Sequence, residues 1–225
     1  MRAAEHYVGQ PGREYHYQKR GVPAEAAPWI ARSRAQKFAP WIGENDEVLE
    51  IGVGAGWNLA AVRCHRKVGV DPAEFLAAEV ARLDIEFHTG TEALAPACFD
   101  VVLCHHVLEH APDPLALLGE ARRLLKTHGR LIVHVPYEKE LRYRQFDPAE
   151  PNHHLFSWNV QTLGNLVVEA RFRIEQIGLG RYGYDRFAAA WAVKLRMGER
   201  GYRLLRGLAV TLRPLREILT VGEPA

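Results

Sequence analysis

Residues 48–56 read VLEIGVGAG. A short apolar run enters three glycines at alternate positions, Gly52, Gly54 and Gly56. Its length and composition are those of a buried strand bounded by a turn. Glycine lets a chain turn sharply and approach a ligand, because no Cβ stands in the way. A dinucleotide-binding turn would read G-x-G-x-x-G, with the pyrophosphate at a helix N-terminus. Here the third glycine comes one residue early, and Trp57 stands where that pattern has glycine. Asp71 ends the next apolar run, at a spacing suited to holding ribose hydroxyls through two acceptor oxygens. The pattern suits a nucleoside ligand and provides less well for a pyrophosphate.

Outward from this stretch the chain alternates. DEVLEIG (46–52), KVGVD (67–71), DIEFH (84–88), FDVVLC (99–104) and GRLIVHVP (129–136) read as strands, with a sixth in RFRIEQIGLG (171–180). GWNLAAVRCHR (56–66), PAEFLAAEVARL (72–83, Pro72 in its first turn) and DPLALLGEARRLL (113–125) read as helices between them. Such alternation predicts an α/β fold, a doubly wound, mostly parallel sheet with helices on both faces. Residues 1–22 read as irregular, and a helix is expected over residues 24–38, with Pro28 disturbing its early turns.

The composition narrows the classes. A chain of 225 residues, 48% hydrophobic and 25% charged, suits a globular protein with a buried core. A net charge of +2 is too weak for a nucleic-acid binder. Cys64, Cys98 and Cys104 show no paired spacing, which predicts a reducing, cytoplasmic setting without disulfides. No apolar run reaches the length of a membrane span, and no signal-peptide core is expected.

Residues 105–110, HHVLEH, contain H-x-x-E-H in His106, Glu109 and His110, a zinc-hydrolase pattern that needs a helix beneath it. Here the segment starts at a strand's carboxyl end and runs into Pro112 and Pro114, so no metal is expected. In open α/β sheets that end of the strands is where ligands bind.

Three stretches together resemble the class I S-adenosylmethionine-dependent methyltransferases, whose fold is Rossmann-like. They are E-x-G-x-G-x-G (50–56), VGVDP (68–72) and FDVVLCHHVLEHAPDPLALLGEARRLLKTHGRLIVHVP (99–136). Within that class the chain resembles the small-molecule branch that includes quinone-biosynthesis methyltransferases, from Val48 to Phe172. The resemblance implies S-adenosylmethionine as cofactor and a small-molecule methyl acceptor. It implies that Gly52, Gly54 and Gly56 lie under the cofactor's methionine part and that Asp71 holds the ribose. Glu50 would steady the loop or the cofactor, or be a buried, satisfied carboxylate. Thr91 and Glu92 would border the adenine, and Cys104 and His105 would lie along the cofactor. The chain departs from the family at Lys126-Thr127-His128-Gly129, where P-G-G is usual, and at Arg171, where E-A-G-F has glycine. No seventh strand is located.

A hydroxyl acceptor would need a base, and histidine titrates near neutrality. Among His105, His106, His110, His153 and His154, two are put forward: His106 from the crevice and His154 from an insertion at 137–157 expected to form a substrate lid. His154-Leu155-Phe156-Ser157 resembles the family's H-x-F-S helix entry, so His154 is equally a helix cap or packing residue. An imidazole base predicts activity rising through about pH 6–7. Tyr137, Arg142, Tyr143 and Arg144 give the lid reach toward an anionic or aromatic acceptor. O-methylation is the reading; a non-catalytic S-adenosylmethionine-binding module is the alternative. The expected division is 1–45 N-terminal segment and helix, 46–183 methyltransferase core, and 184–225 an amphipathic, basic helical tail. That tail, with Arg196, Arg200, Arg203 and Arg206, either packs on the domain or makes peripheral contact with an anionic membrane or a lipid-linked acceptor.

Overall fold

The computed structural model describes residues 3–19, 22–137, 145–147, 150 and 152–225. The five apolar runs become β1 (Glu47–Ile51), β2 (Arg66–Val70), β3 (Glu86–His88), β4 (Phe99–His105) and β5 (Leu125–Pro136). All four pairings among them are parallel. In β4 every residue from Val101 to Cys104 is buried, the near-continuous apolar run of a strand covered on both faces. β6 (Phe172–Tyr182) and β7 (Leu215–Pro224) complete a seven-stranded sheet of order β3-β2-β1-β4-β5-β7-β6. The order reverses between β1 and β4, which opens a crevice at their carboxyl ends.

Strand alternation divides the core. Leu49, Ile51, Val102, Leu131 and Val133 face α5 (Pro114–Leu124) and α6 (Val160–Glu169). Val48, Val101, Leu103 and Ile132 face the other side, with Phe38 of α3 (Ala27–Phe38) and Val80 of α4 (Ala77–Ala81). Asp113 starts α5 by accepting from Ala116 N–H at 2.9 Å, and Pro114 follows where no N–H is needed. Asn159 and Thr162 form a reciprocal capping box on α6. A third cluster joins Ile30 of α3 to Ala188, Ala189 and Ala192 of α7 (Asp185–Lys194) and Tyr202 of α8 (Gly198–Leu212).

Four expectations need correction. Residues 1–22 hold two helices, α1 (Ala3–His6) and α2 (Gly9–Lys19). Pro11 sits in the first turn of α2, where a missing N–H costs no intrahelical bond. Residues 56–65 form turns and irregular backbone rather than a helix, and Arg66 already opens β2. Gly56 is left-handed there (φ +74°), and Asn58 turns inward to donate to Glu50 at 2.5 Å. The helix expected over 72–83 is broken into a 3-10 turn (Glu74–Leu76) followed by the single-turn α4. The tail of 184–225 is helical only to Leu212; its last ten-residue segment is β7, the seventh strand not located above. It lies antiparallel between β5 and β6, pairing Ile218 with Val135 and Glu217 with Pro136. Leu212 and Leu215 continue a helical spacing across Pro214, which hides the break. The short apolar run Ile218–Val221 was the strand signal. Of the expected lid, residues 138–144, 148–149 and 151, with Arg142, Tyr143 and Arg144, lie outside the described residues.

Candidate active site

A cavity of about 1240 Å³ occupies the crevice beyond the carboxyl ends of β1, β2 and β4. Pockets for single drug-sized ligands run about 300–1,000 Å³, so this one has room for two reactants. Gly52 to Ala55, Asp71, Val107 and Leu117 line one wall. Tyr7, in the bend between α1 and α2, and Tyr15 and His16 of α2 roof it. Arg34 and Lys37 of α3, His105 and His106, and Tyr182 to Phe187 complete the other end.

The three glycines do different work. Gly54 has φ +51°, and a Cβ there would meet nothing nearer than His16 Cε1 at 3.9 Å, so it leaves cavity space open. A Cβ on Gly52 (φ +77°) would come 2.8 Å from Val107 Cγ2. Gly56 does not line the cavity; it packs against Ile85 and Leu83, 3.0 and 3.1 Å from its notional Cβ. Asp71 lies on the cavity wall, with Oδ2 accepting from Gly54 N–H and Oδ1 from Ala73 N–H, both at 2.9 Å. It ties the glycine loop to the turn after β2.

Glu50 is fully buried behind this loop. One oxygen accepts from Asn58; Oε2 has no hydrogen-bond partner among the described residues. Burial pushes its pKa up to about 8, against the opposing effects of the Asn58 bond and the Arg34 charge. Cys104 is also fully buried, packs in the core rather than on the cavity, and has its thiol pKa raised by that burial. Thr91 and Glu92 do not line the cavity; the Thr91 carbonyl accepts from Leu94 N–H at 3.0 Å.

The segment 105–110 has the backbone its position suggested: β4 runs through His105, and a turn follows at Leu108–His110. His106 takes a left-handed φ of +55°, uncommon for a residue with a side chain. Its ring stacks on His105 with centroids 4.5 Å apart and meets Tyr182 edge-on at 5.0 Å. His154 does not line the cavity; its ring lies edge-on to His110 at 4.8 Å, and Asn159, not His154, caps α6. The chain between is fastened by Leu155 N–H donating to the Glu109 carbonyl at 2.7 Å.

Glu217 of β7 gathers the polar end of the cavity. Its carboxylate contacts Lys37 Nζ at 2.7 and 2.8 Å and accepts from His106 Nε2 at 3.3 Å. His134 Nδ1 lies 3.3 Å away, off line for a hydrogen bond, and His105 Nε2 lies at 4.0 Å. Burial alone would raise the Glu217 pKa, but the imidazoles of His106 and His134 and the Lys37 ammonium hold it well below the carboxylate range. Burial also lowers Lys37, but the short contacts are those of a charged pair. Burial lowers His105 and His134 below the ordinary imidazole value. His106 is lowered to about 4, burial outweighing its bond to Glu217. With His106 as the base, activity would rise with pH below the 6–7 range expected of an ordinary imidazole. Arg34 and Arg206 share Asp185, at 3.3 and 2.6 Å.

Among the described residues, two groups could offer three ligand atoms within 4.8 Å of one another: Glu109, His110 and His154, and His105, His134 and Glu217. In the second, the Lys37 ammonium already neutralises the carboxylate. Sequence reasoning did not single out Lys37, Glu217, Asp185 or the aromatic roof. Of these only Glu217 carried a signal, as the acid that opens the apolar run Ile218–Val221.

A parallel sheet reversing at β1/β4, a glycine loop after β1 and an acid after β2 define the class I methyltransferase architecture. The chain belongs to the methyltransferase-domain family, whose model matches residues 20–177. It is 38% identical over 98 residues to the ubiquinone biosynthesis O-methyltransferase of Idiomarina loihiensis, covering 38% of this chain and 40% of that protein. It is 27% identical over 158 residues to the one of Histophilus somni, covering 63% and 58%. The chain thus spans about two fifths to three fifths of the length of these curated relatives. An S-adenosylmethionine-dependent methyltransferase of Methanosarcina mazei shares the fold with a TM-score of 0.57 and 16% identity, over 82% of this chain and 95% of that one. The [4+2]-cyclase SpnF does so at 0.59 and 18%, over 87% and 80%. Fold alone therefore does not fix the reaction.

Proposed function

We propose that this chain is an S-adenosylmethionine-dependent methyltransferase that methylates a hydroxyl of a small molecule, with His106 as the base. The observation that carries the reading is His106 itself, a cavity-wall imidazole held by a buried carboxylate. The names of the O-methyltransferase relatives support the acceptor atom. The residues present fit the cofactor. Gly54 leaves space that a side chain would fill, and Asp71 lies on the same wall for the ribose. The bound cofactor would supply an electrophilic methyl group on its sulfonium.

The chain's own part is orientation and proton removal. With the proton on Nε2, where Glu217 accepts it, Nδ1 would be the basic nitrogen; Nδ1 lies 3.7 Å from Glu109 Oε1. Nδ1 would take the hydroxyl proton as the acceptor oxygen is alkylated, and Glu217 would offset the imidazolium charge. A base of pKa about 4 is always neutral at pH 7 but weak. It suits an acidic hydroxyl, such as a phenol, better than an aliphatic alcohol. His154, off the cavity wall, is the less favoured base.

The test uses transfer of labelled methyl to a panel of phenols. His106→Ala should lower turnover by about 10²–10⁴-fold while calorimetry with S-adenosylhomocysteine shows little change. In the parent protein kcat/KM should hold from pH 8 down to about 5 and fall toward 4, as His106 takes up a proton. Near-normal turnover in the variant would remove His106 from the mechanism; a midpoint near 6.5 would show that burial does not lower its pKa in the working enzyme.

A further inference from the structure

We infer that the outer face of α7 and α8 docks the protein onto an anionic phospholipid surface. The inference goes beyond the methyl-transfer reading and does not rest on it. Phe187, Trp191 and Leu195 recur every fourth residue along α7 and its end, and are 53%, 41% and 54% exposed. Leu204, Leu208 and Leu212 do the same on α8, at 56%, 52% and 83%. Residues four apart share one face of a helix, so each helix carries an apolar stripe turned to solvent.

Charge selects the occupant. From Asp185 to Arg216 the exposed cations are Arg186, Lys194, Arg196, Arg200, Arg203, Arg213 and Arg216. The two acids of that stretch, Asp185 and Glu199, are half-buried and ion-paired, to Arg34 and Arg206 and to Arg32 and Arg203. The segment holds eight basic and two acidic residues, 8 − 2 = +6, in a chain whose net charge is +2, so the remainder is negative. A face that combines exposed apolar stripes with concentrated arginines is that of a helix lying in a headgroup layer. No helix among the described residues is long and apolar enough to cross a membrane, so the contact is peripheral. Arg186 and Phe187 also line the cavity, so docking would bring its mouth to the lipid surface.

The test is flotation of the full chain with vesicles of phosphatidylcholine alone, or with about 30% phosphatidylglycerol. Binding to the anionic vesicles only is expected, with release at about 1 M salt, where the Debye length is about 3 Å. Each basic residue near such a surface contributes about fivefold. Arg200→Gln with Arg213→Gln should therefore weaken partitioning about 25-fold. Leu208→Gln with Leu212→Gln should weaken it by at least about tenfold. Absence of binding to anionic vesicles, or binding unchanged in both double variants, would overturn the proposal. So would a dimer in sedimentation that Leu208→Gln with Leu212→Gln dissolves, because the stripes would then join two copies. S-adenosylhomocysteine calorimetry on the same variants reports folding and the cofactor site separately. Failure of the methyl-transfer reading would appear there and in the labelled assay, not in flotation.

Discussion

Gly52, Gly54 and Gly56 look equivalent in the sequence, but their surroundings separate them. Gly52→Ala forces a Cβ against Val107 at a left-handed φ, so it should destabilise the fold by about 1–3 kcal/mol. Gly54→Val places a branched side chain in cavity space instead. Gly54 is left-handed too (φ +51°), so Val there also lowers the melting temperature, but in folded protein it should abolish S-adenosylhomocysteine binding in calorimetry; retained affinity would mean that the loop serves packing only. The glycine pattern was legible as a ligand loop because backbone freedom is a property of residue type. The role of Gly56 was not legible, because it depends on Ile85 and Leu83, which only the folded chain brings near. Glu50 and Asp71 were singled out by position, and both stand behind or beside that loop. Cys104, Thr91 and Glu92 were also named by position, and the cavity wall does not include them.

At the scale of elements, β1 to β5 were readable because parallel strands buried on both faces are nearly continuous apolar runs. Helices were less so: residues 56–66 carry a helical pattern but must turn Asn58 toward Glu50. The largest loss was β7, and with it Glu217. That residue joins β7 to α3 through Lys37, whose side chain is 19% exposed against 3% for Glu217. Glu217→Gln would leave a mostly buried ammonium without its counter-charge, a change that costs about 3–5 kcal/mol in fully buried pairs and here falls toward the lower end. Lys37→Met together with Glu217→Leu should recover most of that loss, since apolar replacement of a buried pair is often neutral. Denaturant unfolding of both single variants and the double one measures the coupling. Additive losses would show that the pair is not what joins these elements.

For the whole molecule, buried titratable groups set opposite slopes of stability against pH. His105, His106 and His134 have folded pKa values below 6.5, so the unfolded chain binds protons that the folded one refuses. Stability should fall as pH drops from about 6.5 toward 4. Glu50 runs the other way: with a folded pKa of about 8 it keeps a proton that the unfolded chain releases above about 4.5. Its contribution is complete below about 4.5 and is lost as pH rises through 8. The two ranges overlap, so melting temperatures from pH 4 to 9 should peak near about pH 6.5, where the histidine slope ends and the Glu50 slope continues, and Glu50→Gln should flatten the alkaline side. An unchanged alkaline slope in that variant would mean that Glu50 is ionised in the folded state. The overall architecture was visible in the alternation of strands and helices; these pH slopes were not, because they arise from desolvation. The sheet also imposes an order on synthesis. β7 is made after the other six strands of the sheet, yet it lies inside it, and among the described residues β6 pairs with no strand but β7. A nascent chain that has reached Leu212 therefore carries two unpaired strand edges, on β5 and on β6, each open to pairing with another chain. Until that ten-residue strand arrives, such a chain is open to aggregation and also lacks Glu217, the partner of Lys37 and His106.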